Sequence, residues 1–351
     1  MTEIPSTEAA AGPTSRFARQ TRFAALGPKG QERLGEARVL VVGCGALGGV
    51  LAQWLARAGV GELVLVDRDV VEDSNLPRQV LFTERHAQEG VPKALASAES
   101  LAAIGGPTRV LPHAAHLDAD LLLELGAGVD LVLDGTDNMA TRYLVNDFAV
   151  REGIPWIYGG VVSSGGLVMP VLPDAGPCLR CVFPDPPPAG VLPTCESAGV
   201  IGPAVGAIAS VQAGLALRIL AGGEPVVPAL VEIDVWAPST RQLSVSRAPS
   251  CPCCGDRTFE FLEGAPETEA VTLCGRNTVQ VLPRASGAPP SLDAIAAQLD
   301  RADVECLRSG PFLRFGADDH RFTLFPDGRC LVEGTEDTER ALALVARWIG
   351  A

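Results

Sequence analysis

The chain is short of lysine: among its 28 basic residues only Lys29 and Lys93 are lysine, and the rest are arginine. Against that bias, a lysine that persists says a little about its position. Aromatic residues make up 5%, and there are four histidines, none of them in a motif, so none is assigned a role. Long hydrophobic runs are missing too. Gly, Pro or a charge interrupts each apolar stretch before the ~18 residues a bilayer-spanning helix needs, which predicts no membrane span. Positive charge is in deficit, 28 basic against 42 acidic residues for a net −14. A broad nucleic-acid surface is therefore not expected, although a local basic pocket for a nucleotide stays open. The opening MTEIPSTEAAA has neither a basic start nor an apolar core, so it reads as a loose tail rather than a secretion signal.

What is present points to a globular protein. The 351 residues suggest about two domains, and 47% hydrophobic against 20% charged residues suits a large core. Ten cysteines without a signal peptide predict a reducing, cytoplasmic setting, where clustered thiols bind metal or do chemistry. Cys178 and Cys181 form a CxxC, and Cys251, Cys253 and Cys254 form a tight second knot.

From Arg38 to about Asp234, strand-like and helix-like segments alternate. ARVLVVG, ELVLVD, VDLVLD and IPWIYGG read as strands; GALGGVLAQWLARAG and ATRYLVNDFAVREG read as helices. The alternation predicts an α/β fold with a doubly wound, Rossmann-like, mainly parallel sheet. Residues 172–193, Pro-rich around the first CxxC, read as a long surface crossover. Residues 201–221 read as a helix apolar almost all round and therefore buried, too rich in Gly and Pro to call transmembrane. The expected organisation is a flexible tail over 1–15, a large α/β domain with the cysteine knuckle over 16–262 and an acidic linker over 263–270. A small α+β domain follows over 271–351, with a hairpin turn at FPDG and an amphipathic C-terminal helix at DTERALALVARWI.

Gly43-Cys44-Gly45-Ala46-Leu47-Gly48 lies between a strand and a helix, where glycines let the backbone approach a phosphate at the helix N-terminus. Alone this GxGxxG fits NAD, FAD or ATP. Asp67, ending the next strand, suits ribose hydroxyls in any of them. The following run, Asp67 to Gln79, separates the ligands: Ser74, Asn75, Arg78 and Gln79 come within a dozen residues, and Lys93 soon after. Cations converging on a helix N-terminus suit a triphosphate better than a dinucleotide.

The set GxGxxG, DxD, NLxRQ, PKA and Asp134-Gly135-Thr136-Asp137-Asn138 resembles the ThiF/MoeB/HesA adenylyltransferases, bacterial relatives of the ubiquitin-activating enzymes. The motifs cover about residues 16–258 and stop short of 271–351. The resemblance implies ATP-dependent adenylation of the C-terminal Gly-Gly carboxylate of a ubiquitin-like sulfur-carrier protein, for thiamine, molybdopterin or thiolation pathways. It implies that Asp67 holds the ribose, that Asn75, Arg78 and Lys93 contact phosphates, and that Asp137 acts through magnesium; an N-cap role for Asp137 and Asn138 is the alternative. It also selects Cys178, Cys181, Cys251 and Cys254 as ligands of a structural zinc, with Cys253 an extra thiol able to substitute. Reduced cysteines without metal are the alternative. Cys195 matches a position that can form a thioester or persulfide, or stay passive. Arg19 is either a surface charge or, by the resemblance, an arginine reaching a partner's ATP across a homodimer. Cys44 reads as filler in the loop. No rhodanese-like loop shows in 271–351, so a separate sulfur donor is expected. Two other classes stay open, a non-catalytic partner subunit and, behind it, an NAD-linked oxidoreductase.

Overall fold

A computed structural model describes residues 16–350 apart from 174, 187–196, 224, 265–269, 274–276, 283–290 and 310–311. Two short helices, α1 (Ala18–Thr21) and α2 (Gly27–Glu36), lead into β1 (Arg38–Val42). The chain then winds through α3 (Ala46–Ala58), β2 (Glu62–Val66), α4 (Glu84–Glu89), α5 (Lys93–Ile104), β3 (Arg109–His113), α6 (Ala119–Gly126), β4 (Leu131–Asp134), α7 (Met139–Glu152) and β5 (Trp156–Val162). An antiparallel extension follows: β6 (Gly165–Val171), β7 (Leu230–Asp234) and β8 (Ser239–Leu243), with α8 (Leu179–Val182) and α9 (Gly202–Leu220) between β6 and β7. The eight strands form one sheet in the order β3-β2-β1-β4-β5-β6-β7-β8. Pairing is parallel from β3 to β5 and antiparallel beyond.

Both faces of the parallel half are covered. Val39, Val41, Leu63, Leu65, Leu131 and Leu133 point to α3, α5 and α9, while Leu40, Val42, Val64, Val66 and Val132 point to α6 and α7. This is the period-2 consequence of a continuously apolar strand sandwiched between helix layers. The order reverses at β1, between β2 on one side and β4 on the other. In doubly wound sheets the crevice beyond the strand ends at such a point receives the ligand.

Two sequence expectations need correction. The helix α9 is not buried all round: Ala204, Val205, Ile208, Ala209, Gln212, Ala213 and Ala216 turn inward, while Pro203, Ser210, Gly214 and Arg218 are exposed. Among the described helices it is also one long and apolar enough, by length and composition alone, to cross a membrane. Its Gly and Pro do not outweigh the Ala, Leu and Ile around them, and here it packs against α3, β5 and β6. The crossover at 172–193 is only partly surface. Pro177, Cys178, Leu179 and Arg180 are buried, because the cysteine must reach its partners in the core beneath α7.

The C-terminal part is a second sheet. After α10 (Glu260–Glu263) come β9 (Ala270–Leu273), β10 (Thr278–Val281), α11 (Leu292–Arg301), β11 (Cys306–Ser309), β12 (Phe312–Ala317), β13 (His320–Leu324), β14 (Cys330–Glu333) and α12 (Thr338–Trp348). The strands pair antiparallel in the order β11-β12-β13-β14-β10-β9. Its own core, including Val279, Leu299, Leu313, Phe322, Leu324 and Val345, lies between the sheet and the two amphipathic helices α11 and α12. The FPDG turn does join β13 to β14, with the Phe325 amide donating to the Arg329 carbonyl. The two ends of the predicted linker belong to structure, Glu263 closing α10 and Ala270 opening β9.

Candidate active site

The turn between β1 and α3 is built from contacts that only glycine allows. Gly43 has φ +87°, and a Cβ there would sit 2.7 Å from the Gly135 carbonyl oxygen. A Cβ on Gly48 would lie 1.8 Å from the Gly43 carbonyl oxygen. The loop therefore lies flat on the end of β4, with the free amides at the start of α3 facing a pocket of about 270 Å³. Gly45, the N-cap, is not needed for packing: a Cβ there would meet only the Gln79 amide, at 3.8 Å.

Asp67 shapes the opposite wall. Its Oδ2 accepts from the Cys44 amide at 2.7 Å and its Oδ1 from the Asp69 amide at 2.7 Å. Burial pushes its carboxyl above the ordinary range, Lys93 pulling against this and Asp69 adding to it. Lys93 is buried at the N-terminus of α5, its Nζ 3.0 Å from Asp69 Oδ2, and its amide donates to the Asp69 carbonyl. Arg78 reaches the pocket from the loop after β2 and donates to the Ser74 carbonyl at 2.7 Å. Gln79 is buried beside it, and its Oε1 accepts no hydrogen bond among the described residues. An orphaned buried acceptor at a pocket wall suits a polar ligand.

The DGTDN segment separates two roles. Asn138 is the N-cap of α7, its Oδ1 accepting from the Ala140 amide at 2.9 Å. Asp137 is exposed, lines the pocket and makes no hydrogen bond among the described residues. The capping alternative therefore holds for Asn138 and fails for Asp137.

The pocket thus brings together Gly43, Gly45, Asp67, Arg78, Gln79, Lys93, Asp137 and Asn138. Other expected residues stand elsewhere. Gly48 packs behind the loop. Ser74 is exposed, and Asn75 is buried and closes the 3₁₀ turn Asp73–Asn75, its Oδ1 accepting from the Glu72 amide at 3.2 Å. A capping role accounts for Asn75 as placed. Arg19 is exposed on α1, which Gln20 ties to the Ala58 carbonyl at the far end of α3. The thirteen residues of α3 span about 20 Å, so Arg19 is remote from its own chain's pocket. Cys195 lies outside the described residues.

Among the pocket residues not singled out by motif, Arg142 and His116 carry the most chemistry. Arg142 is buried, with Nε 2.8 Å from Asp134 Oδ2, Nη2 donating to the carbonyls of Thr136 and Gly159, and the guanidinium over the Tyr158 ring. The signal was Asp134 itself, an acid closing a buried strand and in need of a cation nearby. His116 stands 3.3 Å from Arg68 Nη1 and is lowered to about 4 by burial and then by Arg68. It is a neutral imidazole at the pocket wall; nothing in its sequence surroundings marks it.

The four expected cysteines converge. Their sulfurs all lie within 4.8 Å of one another, with Cys178–Cys251 at 3.5 Å, Cys181–Cys254 at 3.4 Å and Cys178–Cys181 at 4.0 Å. A tetrahedral ion with Zn–S near 2.3 Å holds sulfurs about 3.8 Å apart, so the donor set fits zinc. Cys253 is buried beside them but hydrogen-bonds Asn146 Nδ2 at 3.1 Å and is not one of the four.

Comparison with known proteins agrees with this geometry. The ThiF family model matches residues 17–253. The sulfur carrier protein ThiS adenylyltransferase of Bacillus subtilis is 41% identical over 340 residues, covering 96% of this chain and all of that protein. That alignment reaches beyond the motifs and takes in most of the C-terminal sheet. The sulfur carrier protein adenylyltransferase of Thermus thermophilus is 44% identical over 247 residues, 69% of this chain and 90% of its own. Among solved structures, E. coli MccB with ATP shares the fold, with TM-score 0.61 at 23% identity over 72% of this chain and 77% of that one. A glycine loop, an acid at the second strand end and a DGTDN turn in one pocket, matched by the family model over two thirds of the sequence, place the chain in the ThiF family.

Proposed function

We propose that the chain adenylates the C-terminal Gly-Gly carboxylate of a ubiquitin-like sulfur-carrier protein with ATP, for a thiamine, molybdopterin or related thiolation pathway. One observation carries the reading. In a chain of net charge −14, the pocket is lined by four cations, Arg68, Arg78, Lys93 and Arg142, against three carboxylates, Asp67, Asp69 and Asp137. That local reversal of sign suits a polyphosphate. Asp67, already oriented by two backbone amides, is the group to accept from ribose hydroxyls. The loop amides at α3, with Arg78 and Lys93, hold the phosphates. A carrier carboxylate oxygen then bonds to the α-phosphorus as the bond to pyrophosphate breaks, giving an acyl-adenylate. Asp137, in the pocket mouth and without a hydrogen bond among the described residues, would hold a magnesium ion, which would supply positive charge against that developing on the phosphates. Zinc at the four cysteines would be structural, since four protein ligands leave no open position. A partner-supplied Arg19 and a separate sulfur donor complete the proposal.

Purified protein with ATP, magnesium and a carrier ending in Gly-Gly should exchange labelled pyrophosphate into ATP. Asp137→Ala and Arg78→Ala should each lower the exchange by about 100-fold, as groups acting on transition-state charge. Near-normal exchange in both would remove this site. The arrangement of Arg78, Lys93 and Asp137 around one pocket speaks against a non-catalytic partner subunit, which has no use for all three.

A further inference from the structure

The C-terminal sheet touches the catalytic domain through an arginine at an unusual place. Arg329, at the end of the β13–β14 turn, is fully buried. Its guanidinium lies over the Phe325 ring, 3.8 Å from the centroid, with Nε 3.5 Å from Asp327 Oδ2. Its Nη1 donates to the Arg68 carbonyl and its Nη2 to the Ala114 carbonyl, the latter at 3.1 Å. Those two carbonyls belong to the segments leaving β2 and β3. The residues beside them, Asp67, Asp69 and His116 among them, line the pocket. One planar fork thus staples two strand ends that are also joined by the Asp67 amide donating to the His113 carbonyl and by the contact of Arg68 Nη1 with His116 Nδ1.

A second contact acts on the other lip. Arg314 on β12 donates to the carbonyls of Glu89 and Gly90, at 3.0 and 2.8 Å, three residues before Lys93. The Val71 amide to the Val91 carbonyl and the Lys93 amide to the Asp69 carbonyl lace that loop to the β2 end. Between the two arginines, Phe312, Phe325 and Leu331 pack with Val70. Burying a guanidinium is costly unless its donors are satisfied. Arg329 Nη1 and Nη2 find the Arg68 and Ala114 carbonyls, while Nε has only the ion pair to Asp327 and no hydrogen bond among the described residues.

We propose that the C-terminal sheet is a positioning element of the nucleotide site, with Arg329 as the positioning residue that fixes the pocket-facing ends of β2 and β3. The inference rests on the nucleotide reading of the pocket, and it gives residues 271–350 a role in ATP binding. A lysine cannot reproduce it, because one ammonium does not present two parallel donors in a plane to two separate carbonyls.

The test uses the full chain with Arg329→Lys, Arg329→Gln and, as a milder change, Asp327→Asn. ATP affinity is measured by equilibrium binding, and kinetics by pyrophosphate exchange. Both Arg329 variants should weaken ATP binding and raise its KM by about ten-fold, with the KM for the carrier within about two-fold of wild type. Asp327→Asn should shift KM for ATP in the same direction by a smaller factor. Exposed Arg347→Ala on α12, with its melting temperature followed alongside, should leave both constants unchanged. Amide hydrogen exchange without nucleotide should speed up in 66–69 and 113–117 in the Arg329 variants. A lower melting temperature with unchanged KM for ATP and unchanged exchange in those segments would overturn the proposal. Should the Arg329 variants not fold, an unchanged KM in Asp327→Asn does the same. Wild-type protein that binds no ATP would instead remove the nucleotide reading, and the hydrogen-exchange result would still decide whether Arg329 braces the strand ends.

Discussion

Asp134 and Arg142 meet at 2.8 Å with both side chains buried, and the pair sits where β4 delivers the DGTDN turn. Burial raises the Asp134 carboxyl, with Arg142 opposing. In Arg142→Met the carboxylate loses its cation and its folded pKa rises further, while the unfolded chain keeps an ordinary aspartate. Between those two values the native state binds the extra proton, so stability falls as pH rises through the window. The variant should lose about 3–5 kcal/mol at neutral pH and distinctly less at about pH 5. Denaturant melts at both values check this, and a loss that is independent of pH would mean that packing, not charge, holds Arg142.

At the scale of elements, the cysteine site joins the segment around α8 to the knuckle that follows β8. Burial raises the Cys181 thiol and pushes Cys254 well above ordinary thiol values, and a dication among the four sulfurs would release those protons. Cys178→Ser with Cys181→Ser should lose about one zinc per chain and lower the melting temperature sharply, since structural zinc contributes folding energy directly. Cys253→Ser should keep its metal, because that sulfur is engaged with Asn146. Metal content by elemental analysis and thermal melts decide both; equal loss from Cys253→Ser would make it a ligand. Elements also differed in how legible they were. The apolar strands β1, β2, β4 and β5 and the helices α3, α7 and α12 declare themselves. The sequence pattern hides β8, whose residues STRQL are all exposed and which joins β7 through its ladder and the Arg241–Glu232 ion pair. It hides β3 as well, where Pro112 interrupts a half-buried edge strand.

At the scale of the whole molecule, Arg19 is exposed about one helix length from its own pocket. An arginine there serves catalysis only by entering the site of a second copy, which makes the proposed homodimer a matter of function. Mixing inactive Arg19→Ala with inactive Asp137→Ala chains should restore up to about a quarter of wild-type exchange, since half the dimers are mixed and each has one complete site. Subunit exchange shown directly, with activity still at single-mutant level, would confine Arg19 to the surface.

The sequence by itself settled the mainly parallel sheet, the glycine loop and the acid after β2, because each is a local pattern: a period, a spacing, a turn that needs glycine. The meeting of two cysteine clusters 73 residues apart was implied by resemblance and decided by the fold. Tertiary structure alone decided which of two adjacent polar residues caps α7 and which faces the pocket. It also decided that Asn75 closes its own turn, that Cys253 turns to Asn146, and that His116 reaches the wall. The contact of Arg329 with the Arg68 carbonyl joins positions 261 residues apart. No spacing encodes it, for it exists only once two separate cores have formed and docked, and a buried guanidinium takes its partners from whatever carbonyls that docking presents.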